Sequence, residues 1–219
     1  MEIPNSQNVG GLINRITELF KNPKSFLNSA KNDGENKSTL FSRFYLPLFL
    51  VTFAVHLVIG ILFAIIGFSA YFPRVLGLHA FPIGTILIGS VLYSILYAIL
   101  NIALIYIMST IINALAASFG GKQNIDNAFK VTVYASVPAL LSYLVNYLPV
   151  IGILAGLAGL VFSIYFLYLG LQILMESPSD KVVGYTVIVV IIEIAIAVVF
   201  MFLIVGLIIN SLLFRSLYF

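Results

Sequence analysis

The chain has 219 residues, of which 61% are hydrophobic and 9% are charged, and its mean hydropathy is +1.11. These values lie far from those of soluble globular domains and are typical of an integral membrane protein. Because the sequence contains no cysteine, disulfides, thiolate zinc sites and catalytic thiols are excluded. The formal net charge of +3 comes from residues spread over loops and flanks, which argues against a nucleic-acid-binding face.

The first 44 residues carry much of the charge and no long apolar run, and they predict a cytoplasmic segment with two short amphipathic helices. In the first helix, apolar residues recur at helical spacing, with Arg15 and Glu18 on the opposite side. The second helix is predicted to begin at Pro23, which follows the capping residue Asn22. Both helices are expected to lie in the membrane interface.

Five apolar stretches follow, and they predict an all-α, polytopic membrane protein, because each segment in lipid must satisfy its own backbone hydrogen bonds. The transmembrane domain is predicted over residues 45–219, with spans at about 45–68, 83–112, 128–147, 150–175 and 182–213. Only Leu148-Pro149-Val150 separates the third and fourth spans, which predicts an antiparallel hairpin, with a re-entrant pair that does not cross as the alternative. Pro138 is expected to kink the third helix because it removes a backbone donor.

Lysine and arginine are distributed unequally between the two predicted sides of the membrane. Nine lie in the N-terminal segment, in the connection between the second and third spans with Lys122 and Lys130 (the 120s connection), and in the connection after Met175. Only Arg74 and Arg215 lie on the other side. The positive-inside rule therefore predicts a multi-pass protein with a cytoplasmic N-terminus and an external C-terminus, in the cell membrane if the source is prokaryotic.

Few residues in the sequence are suited to catalysis or metal binding. His56 and His79 are the only histidines, and neither has the neighbouring ligands of a metal site, so no catalytic, metal or cofactor site is predicted. Glu193 is an acidic residue well inside a predicted span, where a carboxylate is costly. It is interpreted either as the proton or cation site of a small transporter or channel, or as a protonated side chain hydrogen-bonded to a neighbour.

Small residues are spaced four apart in the fourth span. Gly152 pairs in this way with Gly156, and Ala155 with Gly159, so each pair lies on one helix face. Such spacing lets another backbone approach closely. The partner is either another helix of the same chain or a second copy of the protein.

Three short sequences occur in an order that points to a family. Tyr134 stands four residues before Pro138, a Pro/Gly turn follows at 149–152, and the sequence Tyr-Leu-Gly-Leu around Gly170 precedes a polar loop and the last helix. Together with five spans, this order resembles the Yip (Ypt-interacting protein) domain family over roughly residues 23–210.

The resemblance implies a non-enzymatic membrane protein that assembles with itself or with related proteins. Eukaryotic relatives contact Rab-type GTPases through the cytoplasmic N-terminal segment and act in vesicle trafficking. This chain lacks their Asp-Leu-Tyr-Gly-Pro motif, and it has Val131-Thr-Val-Tyr134 where they often have a Tyr-Gly-Tyr sequence. It is more similar to the bacterial and archaeal branch, so the resemblance does not imply that this chain binds a GTPase.

The sequence thus predicts a membrane organiser, scaffold or adaptor. Its predicted partners are the lipid bilayer, a homo-oligomer or related membrane proteins, and a cytoplasmic protein bound at residues 1–44, with no nucleic acid. The alternative is a small transporter or channel that uses Glu193. An intramembrane enzyme is not supported, because the sequence has neither paired intramembrane aspartates nor a His-Glu-x-x-His motif.

Overall fold

A computed structural model describes residues 9–63, 83–146 and 148–218, and these residues are helical apart from short connections. The main helices are α1 (Val9–Lys21), α2 (Pro23–Asn32), α3 (Lys37–Leu40), α4 (Leu46–Phe63), α5 (Ile83–Leu115), α6 (Ile125–Ser142), α7 (Pro149–Ile173) and α8 (Val182–Tyr218). Within these described residues, five helical segments are long and apolar enough to cross a membrane, which confirms the predicted all-α membrane fold.

The helix that contains the first candidate span begins before the predicted bounds of that span. A π-helical turn at Phe41–Tyr45 joins α3 to α4, so the helix is continuous from Lys37, whereas the prediction placed its start at residue 45. The helix extends because Asn36 caps its first turn, accepting a hydrogen bond from the Thr39 backbone nitrogen at 3.0 Å. The predicted end of this span, together with Arg74 and His79, lies outside the described residues.

Helix α6 is the central helix of the bundle. Its most apolar stretch is 56% buried, against 11–28% for the other four candidate spans. It contacts α5 on one side and packs along α7, to which it is joined through a 3₁₀ turn at Tyr143–Val145. Asn124 starts α6 by accepting a hydrogen bond from the Asn127 nitrogen at 3.0 Å.

The N-terminal helices pack against the bundle rather than lying apart from it. Phe26, Leu27 and Ala30 of α2 are buried, and α2 contacts α7. Phe20 at the end of α1 makes an edge-to-face contact with Phe166 of α7, with ring centroids 5.2 Å apart. The core is therefore continuous from α1 through the membrane-spanning helices.

One expectation about α1 is wrong. Arg15 was predicted on the outward, polar side, yet it is only 2% exposed, while the apolar Ile13 is 56% exposed. An amphipathic helical pattern predicts that charged residues face water. A buried arginine is nevertheless stable when its donors have hydrogen-bond partners. Those partners come from distant parts of the chain.

Candidate functional site

Tyr134 lies at the centre of a buried polar cluster at one end of the bundle. It sits on α6 and is 0% exposed, and its hydroxyl oxygen accepts a hydrogen bond from Arg15 Nη2 at 2.7 Å. Its ring makes edge-to-face contacts with Phe26 of α2 and with Phe44, at centroid distances of 5.0 and 5.6 Å. One side chain thus joins α1, α2, α6 and the start of the first span.

Arg15 completes this cluster by pairing with Glu35. Arg15 Nη1 donates to one carboxylate oxygen of Glu35 at 3.3 Å, and Nη2 donates to the other at 2.8 Å. The guanidinium also lies 4.7 Å from the centroid of the Phe44 ring. Burial tends to lower the pKa of Arg15, whereas Tyr134 and Glu35 raise it, and the net shift is upward, so Arg15 is charged.

A second buried cation lies one helical turn from Tyr134. Lys130 is 2% exposed, and its Nζ donates to the Ala30 carbonyl and to Asp33 Oδ1, both at 2.6 Å. Asp33 Oδ1 also accepts from the Glu35 nitrogen at 2.8 Å. Gly34, between the two acids, has a φ of +68°, and this left-handed turn positions both carboxylates toward the bundle.

A third group of charges links the loops beside this cluster. Glu176 lies 2.8 Å from Lys31 Nζ and 2.5 Å from Lys122 Nζ, and it has a φ of +55°, which is uncommon for a residue other than glycine. The pKa of Glu176 is lowered because Lys122 and Lys31 donate hydrogen bonds to its carboxylate. The backbone nitrogen of Lys37 donates to Asp126 Oδ1 at 2.9 Å, which links the start of the first span to α6.

We call these residues the polar cap, which comprises Arg15, Lys31, Asp33, Glu35, Lys122, Asp126, Lys130, Tyr134 and Glu176. The cap draws on the N-terminal segment, the 120s connection and the connection after Met175. These are the three segments that the lysine and arginine distribution assigned to one side of the membrane, and in the structure they contact one another.

Tyr134 could be singled out from the sequence, but the charged residues that surround it could not. Arg15 and Tyr134 are 119 residues apart, and Lys130 and Asp33 are 97 residues apart. One signal was available, because a lysine at position 130 falls within an apolar helix, where a cation needs a counter-charge.

The glycines singled out from the sequence have different surroundings. A Cβ on Gly159 would lie 3.1 Å from the Pro138 carbonyl oxygen, and one on Gly170 would lie 3.1 Å from a Val131 methyl, so both let α6 approach α7. The close partner of these two residues is therefore a helix of the same chain.

Gly152 and Gly156 do not contribute to this helix contact. A Cβ on Gly152 would lie 2.5 Å from the carbonyl oxygen of Asn146, so Gly152 allows the turn between α6 and α7 to close. A Cβ on Gly156 would meet nothing within 4 Å, because Gly156 lines a cavity. Glycines with the same four-residue spacing therefore have different surroundings, one at a turn and the other at a cavity.

Glu193 lies apart from the polar cap. It lines the same cavity as Gly156, together with Asn101, Asn146 and Ser163. Pro138 lies inside α6, which continues to Ser142, and the kink expected there stays a prediction. In the part of the chain that the structure describes, no three potential metal ligands gather, and His56 stacks on Tyr97 with ring centroids 5.7 Å apart.

The fold and the polar cap define a polytopic helical membrane protein whose N-terminal helices are docked on its bundle. A family model, the Yip1 domain, matches residues 18–201, so the chain belongs to the Yip1 domain family, as the sequence resemblance indicated. This family consists in general of non-enzymatic membrane proteins. The matched range includes every cap residue except Arg15. No curated protein and no solved structure matches the chain.

Proposed function

We propose that the protein is a non-enzymatic membrane scaffold or adaptor, in which residues 1–44 bind a cytoplasmic protein partner and residues 9–44 form a docked platform for it. The observation that carries this proposal is the buried Arg15–Glu35–Tyr134 cluster, which fixes α1 and α2 to the membrane-spanning helices. A partner bound to α1 or α2 would then be coupled mechanically to the bundle, which a flexible tail would not achieve.

The platform offers a surface suited to such a partner. Ile13 and Phe20 of α1 are 56% and 36% exposed, and Lys21 and Lys24, which follow Phe20 closely in the sequence, are exposed as well. An apolar patch with adjacent cations fits an acidic amphipathic segment of a protein, and the same cations would favour anionic lipid headgroups. The excess of lysine and arginine in this segment supports a cytoplasmic location for it.

Surface substitutions test this role better than deletion of the segment. Removing residues 1–38 would leave Lys130 and Tyr134 buried without Asp33 and Arg15, so loss of function could reflect a destabilised bundle. The combined variant I13S/K21E/K24E changes only exposed positions. We expect it to lose a protein that crosslinks to the wild-type platform in native membranes, identified by mass spectrometry.

The control is K181E, a charge reversal at an exposed lysine after Met175. It should retain the partner, because it lies outside the platform. If both variants lose the partner equally, general charge and not the platform is responsible. If the triple variant keeps a partner that maps to residues 9–32, the surface assignment is wrong.

Self-association belongs to the same proposal. Since Gly159 and Gly170 already face α6, a second copy would instead meet the outer side of α7, where Ile153, Leu154 and Leu157 are exposed. This side otherwise contacts lipid tails. A change in oligomer size for L157N, measured in nanodiscs, would support the assignment.

The small transporter or channel is the second candidate, and the cavity beside Glu193 favours it. Abolition of a proton-coupled or cation flux by E193Q in vesicles, with the fold intact, would support this role. Unchanged flux in E193Q would exclude Glu193 as its coupling group.

A further inference from the structure

A cavity of about 430 Å³ lies inside the bundle among α5, α6, α7 and α8. Most of its wall is apolar, with side chains such as Met108 and Leu167. Among the described residues that line it, Glu193 is the only acid, and there is no lysine, arginine or histidine. The cavity therefore combines a hydrocarbon-like wall with one unbalanced acidic group.

The polar groups of the wall differ in whether their hydrogen bonds are satisfied. Thr132 and Ser136 donate to the carbonyls of Ala128 and Val133 on their own helix, at 3.0 and 2.8 Å. In contrast, Ser163 Oγ is buried with no hydrogen-bond partner in the described part of the chain. A buried hydroxyl left in this state costs free energy unless a partner arrives.

The cavity is accessible from the lipid-facing surface. Leu160 on α7 and Ile194 on α8 line it, and they are 55% and 58% exposed. The cavity is partly open, and these two residues reach from its wall to the outer surface of α7 and α8. Glu193 is itself exposed at the adjacent position, where an entering molecule can reach its carboxyl group.

We propose that this cavity binds an aliphatic amine, with the ammonium group at Glu193 and the hydrocarbon chain along the apolar wall. The ammonium donates to the Glu193 carboxylate and balances its charge. A fatty acid or a phosphate-bearing lipid headgroup would bring a second negative charge with no cation to meet it. A neutral alcohol would leave the carboxylate uncompensated.

This binding site is independent of the scaffold role, since it lies on different residues from the N-terminal platform. It shares the cavity and Glu193 with the transport candidate, but labelling measures binding without flux, so the failure of one proposal can be distinguished from the failure of the other. At about 30 Å³ for each heavy-atom-sized unit, the cavity of about 430 Å³ holds about 14 such units, so octylamine, with eight carbons and one nitrogen, fits inside it.

The probe for the test is octylamine carrying a diazirine on its chain, added to the full chain in nanodiscs. Octanol and octanoate with the same diazirine serve as comparison probes, and empty nanodiscs correct for partition into lipid. After irradiation, labelled peptides are mapped by mass spectrometry. We expect the amine to label α7 and α8 saturably, in competition with unlabelled octylamine, and the other two probes to label only at the lipid background.

Two substitutions locate the site. E193Q should lower amine labelling about tenfold or more, because a charged hydrogen bond becomes a neutral one. G156L should abolish it by filling the cavity, since nothing lies within 4 Å of a Cβ on Gly156. The matched control is G206L, because a Cβ on Gly206 also meets nothing within 4 Å, but Gly206 does not line the cavity.

The result that would overturn the proposal is equal labelling by the alcohol probe, or wild-type labelling in G156L. Retained labelling in E193Q would also overturn it, because the site would then not depend on the carboxylate. If E193Q does not fold, the comparison of G156L with G206L decides, since neither substitution changes a charge.

Discussion

The two halves of α6 are held in place by different interactions. In the first half, Lys130 and Tyr134 are buried polar groups, and each is paired with a charged residue from the N-terminal segment. In the second half, Pro138 and Ser142 pack closely against Gly159, which permits this contact because glycine has no side chain. A cavity lies beside this contact. The first half thus combines charge pairing with close packing, as at Val131 and Gly170, whereas the second half has the close packing without the charge pairs.

This difference predicts unequal sensitivity to substitution. A buried charge pair fails when one partner is removed, because the other is left in a poor environment. A close backbone contact fails when any atom is added. The cavity, in contrast, should tolerate added atoms.

The largest effect is expected for R15A. Removing the guanidinium leaves the Glu35 carboxylate and the Tyr134 hydroxyl without their shared donor, and the docking of α1 and α2 should weaken by about 3–5 kcal/mol. Hydrogen exchange of the amides in α1 and α2 measures this as faster exchange. R43A is the control, because Arg43 is exposed in the same segment, and its exchange should match that of the wild type.

R15K sharpens the same comparison. Lysine keeps the charge but cannot make the two-pronged contact with Glu35 while also reaching Tyr134. Exchange rates between those of the wild type and R15A are therefore expected. Wild-type protection in R15A itself would show that the cluster does not hold the N-terminal helices.

An intermediate effect is expected for G152A. A methyl group there would lie 2.5 Å from the Asn146 carbonyl oxygen, so the turn must shift, at a cost of about 1–3 kcal/mol in the free energy of unfolding. G156A is the matched control in the same helix. It should be neutral or more stable by about 0.5–1 kcal/mol, because alanine favours helix and has open space. Thermal unfolding in micelles compares them, and equal losses in both variants would contradict the assignment.

The smallest effect concerns pH and Glu176. Because its pKa in the folded protein lies below the ordinary 4.5, ionised Glu176 contributes stability that is fully present above that pH. The contribution is lost as the pH falls through the lowered pKa. Amides around Glu176 should therefore exchange faster, relative to the rest of the cap, once the pH falls below 4.5. In E176Q this additional pH dependence should disappear, and its persistence would assign it to another carboxylate.

The sequence predicted the five long apolar helices and the start of α2 at Pro23, because these depend on composition and local rules. It could not predict the partners of Arg15, since pairing across 119 residues depends on the three-dimensional packing of α1 against α6. Gly156 and Gly159 belong to the same pattern of small residues in the sequence, yet Gly159 packs against a helix and Gly156 lines a cavity. Periodicity reveals which residues share a face, but not what lies opposite that face.

The distance along the chain between Arg15 and Tyr134 also orders events during synthesis. At about 5–20 residues per second, the 119 residues that separate them take the ribosome about 6–24 s to make. Throughout that interval Arg15 has no Tyr134 to contact, so α1 must wait in a different arrangement from its final one. Docking of the first helices through this contact therefore cannot precede synthesis of the third membrane-spanning helix.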